Sequence, residues 1–364
     1  MMTAPPIASN PRFKLGRVLM AGSGGGPEEA IEVFCSLLEE ALERAEAGGG
    51  EGKKGPPGGE DLDGALAEYE YGNALFRAAV RREELEGGED ADSKKPAGDG
   101  GGDKKPAAAG DGTGEPASKK ARTGDEGRPG KAGASEDLSL GLRAMESSLC
   151  PVMEYYHAGD DAPREDGVGG LHDWARDQIS RAMTSIGDVH THKGRHGEAV
   201  DWYSRARPYA EASWEARREM LSGGGGTGGG SRPAVDDLRA QRRLVELDAV
   251  VCEAMLSCPR GEDIAVLDDD EDNGGEGTAA ASTTTTTTTT RRLICRARDR
   301  IDFAAGHYES ARLGMEELIE RYGRMKGGSA TSAAKGLDDE GKDIGYAVML
   351  VVGAGNRLEE ERSA

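Results

Sequence analysis

Three imidazoles fall within seven residues, in His190-Thr191-His192 and His196, a density that raises the question of a metal site. A structural zinc site needs four donors converging on one point, and a catalytic site needs three plus an open position. His190 is expected on the face of a helix that packs against its partner. His192 and His196 are expected at the following turn, and no further donor is spaced to join them. The five cysteines, Cys35, Cys150, Cys252, Cys258 and Cys295, are odd in number and irregular in spacing. They form no disulfide framework and fit a reducing compartment. Cys252 and Cys258 lack the two-residue separation of zinc ligands and read as buried thiols on helices. Gly22-Ser23-Gly24-Gly25-Gly26 has no Gly-Lys-Ser/Thr after it and follows a helix rather than a strand, so it is not a phosphate cradle. No Ser-His-Asp or Cys-His arrangement has supporting context. The expectation is a protein with no enzymatic activity, no metal and no cofactor.

Charge points instead to binding. The chain of 364 residues has 67 acidic and 46 basic residues, a formal net charge of −21. Phosphate contacts need a basic face, so nucleic acid is not an expected direct partner; a basic protein is. Asp268-Asp269-Asp270-Glu271-Asp272 forms a compact acidic tract, inside a stretch 261–290 that holds eight acids and no base. Such a block can hold basic surface through many weak, salt-screened contacts. Lys104-Lys105 and Lys119-Lys120-Ala121-Arg122 are two basic clusters on a flexible spacer. They read as a candidate bipartite nuclear import signal, which would engage an import receptor. No apolar run reaches membrane-spanning length, the longest being Tyr346 to Val352, so no membrane is expected.

Paired helices must position these groups. In the segment 179–210, Ile186-Gly187 is followed by Gly194, then Ala199, Tyr203 and Ala206. This is the spacing of a tetratricopeptide repeat, in which small residues let two antiparallel helices approach and an aromatic fills the gap. Gly194 suits the turn, where a positive φ is needed. Leu15-Gly16, Pro27, Ala30 and Phe34 repeat the pattern in the first pair, and Pro27 opens its second helix. A second pair is split: one helix ends near Glu86 and its partner opens at Glu136-Asp137-Leu138-Ser139-Leu140. The stretch 87–134 between them carries nine acids and nine bases. A fourth pair runs from Arg243-Leu244-Val245-Glu246-Leu247 to the helix around Tyr308–Met315. The expected fold is all-α, a tetratricopeptide solenoid of about four hairpins whose second and fourth repeats are interrupted. The expected boundaries are a disordered start at 1–12, repeat 1 with helix A of repeat 2 at 13–86, and a disordered insert at 87–134. Helix B of repeat 2 with repeat 3 follows at 135–222, then a Gly-rich linker at 223–232. Helix A of repeat 4 covers 233–258, an acidic and Thr-rich disordered insert 259–290, and helix B 291–326. A tail with a candidate capping helix takes 327–364. The inserts are too polar to offset the entropy of ordering them.

In such a solenoid the first helix of each hairpin lines the concave groove. The residues three before and one after each helix-A glycine, Phe13 and Arg17, Tyr69 and Asn73, Thr184 and Asp188, are expected there, with Glu246 from the fourth hairpin. Aromatics beside amides and acids suit a groove for a basic helix or peptide.

Tyr69-Glu70-Tyr71-Gly72-Asn73-Ala74-Leu75, Glu136-Asp137-Leu138-Ser139-Leu140 after an insert, Gly187-Asp188-Val189 and Arg243-Leu244-Val245-Glu246, taken in that order, resemble the nuclear autoantigenic sperm protein (NASP) family of interrupted-tetratricopeptide histone chaperones. The matches fall in all four repeats. Two features depart from the family: its second-repeat insert is strongly acidic where 87–134 is neutral, and Cys252 stands where its fourth repeat has Gly. The resemblance implies a nuclear chaperone for the histone-3/histone-4 pair, supporting nucleosome and chromatin assembly. On that reading the groove residues Tyr69, Asn73, Thr184, Asp188 and Glu246 grip a histone helix, and the tract Asp268–Asp272 shields basic histone surface. The competing reading is a co-chaperone or scaffold adaptor that binds peptide tails; of the groove residues only Asn73 fits a carboxylate clamp.

Overall fold

A computed structural model describes residues 6–21, 26–48, 59–92, 129–160, 169–223, 231–260, 264–267, 292–295, 299–328 and 334–364. Among them are nine α-helices: α1 (Pro11–Met20), α2 (Pro27–Gly48), α3 (Gly59–Asp92), α4 (Pro129–Asp160), α5 (Gly169–His192), α6 (His196–Gly223), α7 (Ser231–Ser257), α8 (Arg300–Gly328) and α9 (Ala334–Ser363). Helices α1 and α2, α3 and α4, α5 and α6, and α7 and α8 pack as hairpins. Each hairpin meets the next through α2 with α3, α4 with α5, and α6 with α7. Packing mainly against chain neighbours is the arrangement of an α-solenoid, and the helical content agrees with that class.

All four hairpins carry a glycine at the crossing; in the fourth a Cβ on Gly314 of α8 would lie 2.8 Å from Val245 Cγ2 of α7. A Cβ on Gly16 of α1 would lie 2.7 Å from the Phe34 ring of α2, and one on Gly187 of α5 would enter the Tyr203 ring of α6. In the second hairpin the backbones themselves meet: a Cβ on Gly72 would lie 2.6 Å from the Gly141 carbonyl oxygen, and one on Gly141 2.8 Å from that of Gly72. Ala30, Phe34, Met145, Ala199 and Tyr203 are buried at these crossings. The tight turn between α5 and α6 uses Gly194 at φ +70°, a conformation that favours glycine. Its amides bond back to the end of α5, from Lys193 to Val189 O at 3.0 Å and from Arg195 to His190 O at 2.8 Å.

Several stretches read as unstructured are ordered at their margins. Pro6–Ser9, within the expected disordered start 1–12, forms a 3-10 turn. Ile7 is buried there and its amide donates to Asp63 Oδ1 of α3 at 2.8 Å. Asn10 then caps α1 by accepting from the Arg12 amide at 2.8 Å. Helix α3 runs on to Asp92 and α4 starts at Pro129, so both helices enter the insert drawn at 87–134; Ala134 is buried against Ala79 and Leu138. The insert drawn at 259–290 contains strand β1 (Ile264–Leu267), antiparallel to β2 (Arg292–Cys295), which occupies the start of the segment assigned to helix B. Ile264 is buried, and Arg300 at the start of α8 donates to the carbonyls of Cys258 at 2.7 Å and Pro259 at 3.0 Å, tying the base of the ribbon to the solenoid. The ribbon is the one departure from an all-helical chain among the described residues.

Helix α9 fills most of the tail 327–364 and packs on both α7 and α8. A second core unites the three helices through Leu238, Val245, Leu318, Ile344, Ala347 and Val351. Its ionic fastening is Glu340, buried and bonded by Arg239 Nε at 3.1 Å and Arg242 Nε at 2.8 Å. No helix among the described residues is long and apolar enough to cross a membrane.

Candidate functional site

Helices α1, α3, α5 and α7 carry the residues expected to line the groove. Phe13 is not among the exposed ones. Its ring is buried and meets Phe34 edge-on at 5.6 Å between centroids. The reason is helical geometry: residues three apart share a face, so Phe13 points with Gly16 into the hairpin. Tyr69, three before Gly72, is buried for the same reason; its hydroxyl lies 3.1 Å from Ser185 Oγ of α5 and joins two hairpins. Thr184, three before Gly187, turns its hydroxyl back to donate to the Ser180 carbonyl at 2.8 Å.

The position one past the glycine behaves differently. Arg17 is half exposed and lies 3.5 Å from Glu70 of α3. Asn73 donates to Glu70. Burial raises the Glu70 carboxyl, while Arg17, Arg181 and Arg77 pull it back. Asp188 accepts from the Tyr203 hydroxyl at 2.8 Å, and the Thr191 hydroxyl lies 3.1 Å from the same phenol oxygen. Burial pushes the Asp188 carboxyl up to about 6, against the Tyr203 bond and the Arg77 charge; the neighbouring Glu246 charge adds to the rise. Glu246 is itself raised by burial and held by Arg242, whose Nη1 donates to it at 2.7 Å. Asp188 of α5 thus feels the Glu246 charge of α7 and the Arg77 charge of α3, while Glu246 has Arg242 and Arg243 as its own cations.

Beside it runs a charged seam that the sequence pattern did not single out. Asp177 of α5 is met by Arg243 of α7 at 2.6 Å, Arg181 at 3.1 Å and Arg217 of α6 at 3.5 Å. Burial opposes its charge, yet the three guanidinium groups hold the carboxyl at about 2. Arg181 also feels Tyr69 and Glu70, which extends the seam to α3. Further along, buried Asp248 of α7 accepts from Arg207 Nε at 2.8 Å and Ser310 Oγ at 2.6 Å, with His307 Nδ1 at 3.0 Å. The one local hint was Asp177 and Arg181, four apart on a helix; the other partners are far away in sequence. Buried charges persist only when paired, so this seam fixes the relative placement of the first helices.

The histidines divide as their positions require. His190 is buried with Nδ1 3.5 Å from Glu198, and burial lowers its basicity. His192 bonds Glu83 of α3 at 2.8 Å and meets the Phe76 ring edge-on at 5.9 Å. Among the described residues no three His, Cys, Asp or Glu side chains are placed to share a metal ion. Cys252 and Cys258 are buried, and burial pushes the Cys252 thiol up to about 12, well short of a reactive thiolate at neutral pH. The tract Asp268–Asp272 and the basic clusters Lys104-Lys105 and Lys119-Lys120 with Arg122 lie outside the described residues.

Compared with known proteins, the chain matches no family model, no curated protein and no solved structure. The class of the molecule rests on its own architecture: stacked helical hairpins whose first helices share a line of partly buried charge.

Proposed function

We propose that the chain is a tetratricopeptide histone chaperone of the NASP type, binding the histone-3/histone-4 pair in the nucleus in support of nucleosome assembly. The observation that carries this reading is that Asp188 and Glu246, on successive first helices, are partly buried acids and the Glu246 charge reaches Asp188, in a chain of net charge −21. A basic helix laid along α3, α5 and α7 would bring cations to both carboxylates and draw the Asp188 proton off, since a nearby positive charge favours the ionised form. The acidic tract that follows β1 would add salt-sensitive contacts to basic histone surface. The glycine-over-aromatic crossings of the first and third hairpins, and the split second hairpin, support the repeat assignment. The basic clusters between α3 and α4 would supply nuclear import.

The adaptor reading has one observation of its own. Asn73 and Arg77 lie one turn apart on α3 and could grip a peptide carboxylate, although Glu70 and Asp188 already engage both. Titration of the intact protein with the histone-3/histone-4 pair and with an acidic chaperone C-terminal peptide separates the two. Tighter histone binding, weakened by Asp188→Asn with Glu246→Gln, is expected. Tighter peptide binding overturns the chaperone reading.

A further inference from the structure

Three guanidinium groups converge on one carboxylate between α5, α6 and α7. Asp177 is met by Arg243 at 2.6 Å, by Arg181 at 3.1 Å and by Arg217 at 3.5 Å. The surrounding acids are committed to other cations. Glu70 of α3 reaches Arg181 but is shared with Arg17 and Arg77. Glu246 reaches Arg243 but accepts from Arg242 at 2.7 Å. Asp173 lies 2.7 Å from Arg176, and Asp236 lies 3.3 Å from Arg239. Among the described residues Asp177 is thus the one carboxylate within ion-pair distance of these three arginines, and the cluster carries an excess of two positive charges.

A fastening between helices gains nothing from such an excess. Like charges held together at partial burial repel, and a charge taken out of water costs free energy unless it is paired. Arg243 bears the consequence: burial and the Arg181 and Arg217 charges lower it to about 10, against the pull of Asp177. Hydrogen-bond donors are left over as well. The Arg181 Nε is buried with no partner among the described residues. Ser213 lies one turn before Arg217 on the same face of α6; it is 3% exposed, and its hydroxyl has no partner there either. The cluster is nonetheless open to a ligand, since the side chains of Arg181 and Arg243 are 32% and 31% exposed.

Charge and shape select the ligand. Planar guanidinium groups grip carboxylate and phosphate oxygens two at a time. A carboxylate would cancel one of the two surplus charges, whereas a phosphate monoester carries about −1.5 to −2 at pH 7 and cancels both. A nucleic acid offers only one charge per phosphate, and its length would carry it past Asp188 and Glu246, about two turns and one turn beyond Arg181 and Arg243 on their helices. We propose that Arg181, Arg217 and Arg243, with the Ser213 hydroxyl, form a binding site for a phosphate monoester dianion. Asp177 holds the three guanidinium groups together in readiness for it. The site does not rest on the histone reading.

Thermal melting of the full chain in sodium phosphate and in sodium chloride of equal ionic strength tests this, because a ligand that binds only the folded state raises the melting temperature. Calorimetric titration with a short phosphoserine peptide and with its unphosphorylated form is the second arm. Phosphate is expected to raise the wild-type melting temperature above its value in chloride, and the phosphopeptide to bind where the plain peptide does not. Arg217→Gln with Arg243→Gln, shown to be folded by helical circular dichroism, is expected to lose the phosphate response and to weaken the peptide by at least about tenfold. Asp177→Asn carries the opposite sign: its melting temperature should respond to phosphate more than the wild type does, because the added anion replaces the missing carboxylate. A purely structural cluster would show no such gain. Tighter binding of the phosphopeptide than of inorganic phosphate assigns the ligand to a protein partner, and equal binding assigns it to a small phosphate. A wild type that melts alike in both salts and binds no phosphopeptide overturns the proposal. So does a folded double-arginine variant that responds as the wild type does, and so does an Asp177→Asn protein with no enhanced response.

Discussion

The first and third hairpins close in the same way and then diverge by a single hydroxyl. In both, a glycine on the first helix meets an aromatic ring on the second, Gly16 over Phe34 and Gly187 over Tyr203. Phe34 is buried and its neighbour is another ring, Phe13; the position past the glycine, Arg17, is left to pair across to Glu70 on α3. Tyr203 carries an oxygen to the same depth, and that oxygen bonds Asp188, the residue equivalent to Arg17. A similar glycine-over-ring crossing thus presents a guanidinium in the first hairpin and a carboxyl raised by burial in the third. The floor of the groove is set by what the gap-filling ring carries, not by the crossing itself.

The largest expected effect breaks the crossing. Gly187→Ala drives a methyl into the Tyr203 ring, flanked by α4 and α7 on either side, and is expected to cost about 3 kcal/mol in denaturant unfolding. Gly16→Ala, in a terminal helix of ten residues that can shift outward, is expected to cost about 1 kcal/mol, since a site that relaxes stores less strain. Equal costs would mean that the two hairpins are equally confined.

The next effect has the opposite sign. The Asp188 carboxyl titrates at about 6 in the folded chain and near 3.9 when unfolded. The folded state therefore binds more protons between those values, and stability falls as pH rises through that window. Asp188→Asn keeps an acceptor for Tyr203 and removes the buried charge. It is expected to stabilise the protein by about 2 kcal/mol at pH 7, with the gain gone below about pH 4. A gain that persists in acid would place the cause elsewhere. Asp177 is the counterweight: held at about 2, it contributes stability above an unfolded value near 3.9, lost as pH falls from there toward 2. Asp177→Asn is expected to remove about 2 kcal/mol at pH 7, leaving three partly buried guanidinium groups short of their carboxylate.

The smallest effect converts one hairpin toward the other. Tyr203→Phe gives the third hairpin the ring of the first and leaves Asp188 without its donor. The expected loss is about 1 to 2 kcal/mol at pH 7, with the Asp188 titration moving further upward by NMR. In the Asp188→Asn background the same change should cost less, because the bond broken no longer involves a charge.

Much of the scaffold was legible in the chain. The glycine, alanine and aromatic residues at helix-crossing intervals mark the first and third hairpins, because two helices can approach closely only where one side lacks a Cβ. Pro27 marks the start of α2 and Gly194 the turn after α5, since each residue type has a backbone preference that acts locally. The interruption of the second hairpin was visible as a loss of apolar periodicity. The ribbon was not: Ile264–Leu267 and Arg292–Cys295 are four-residue runs, too short to stand out beside the acidic and Thr-rich stretch between them, and pairing across that distance has no local signature.

Periodicity, glycine placement and charge are properties of neighbours along the chain, and by themselves they determined that this protein is helical, paired, interrupted and acidic. Which residues face the groove was decided by tertiary structure. Phe13 and Tyr69 turn inward because they share a face with the crossing glycine, and Thr184 turns its hydroxyl back onto its own helix. Asp188 became special only when Tyr203, Arg77 and Glu246, from three other helices, closed around it. The ionic seam of Asp177, Arg181, Arg217 and Arg243 exists for the same reason: burial forces charges to find partners, and the partners that packing supplies lie on helices that are distant in sequence.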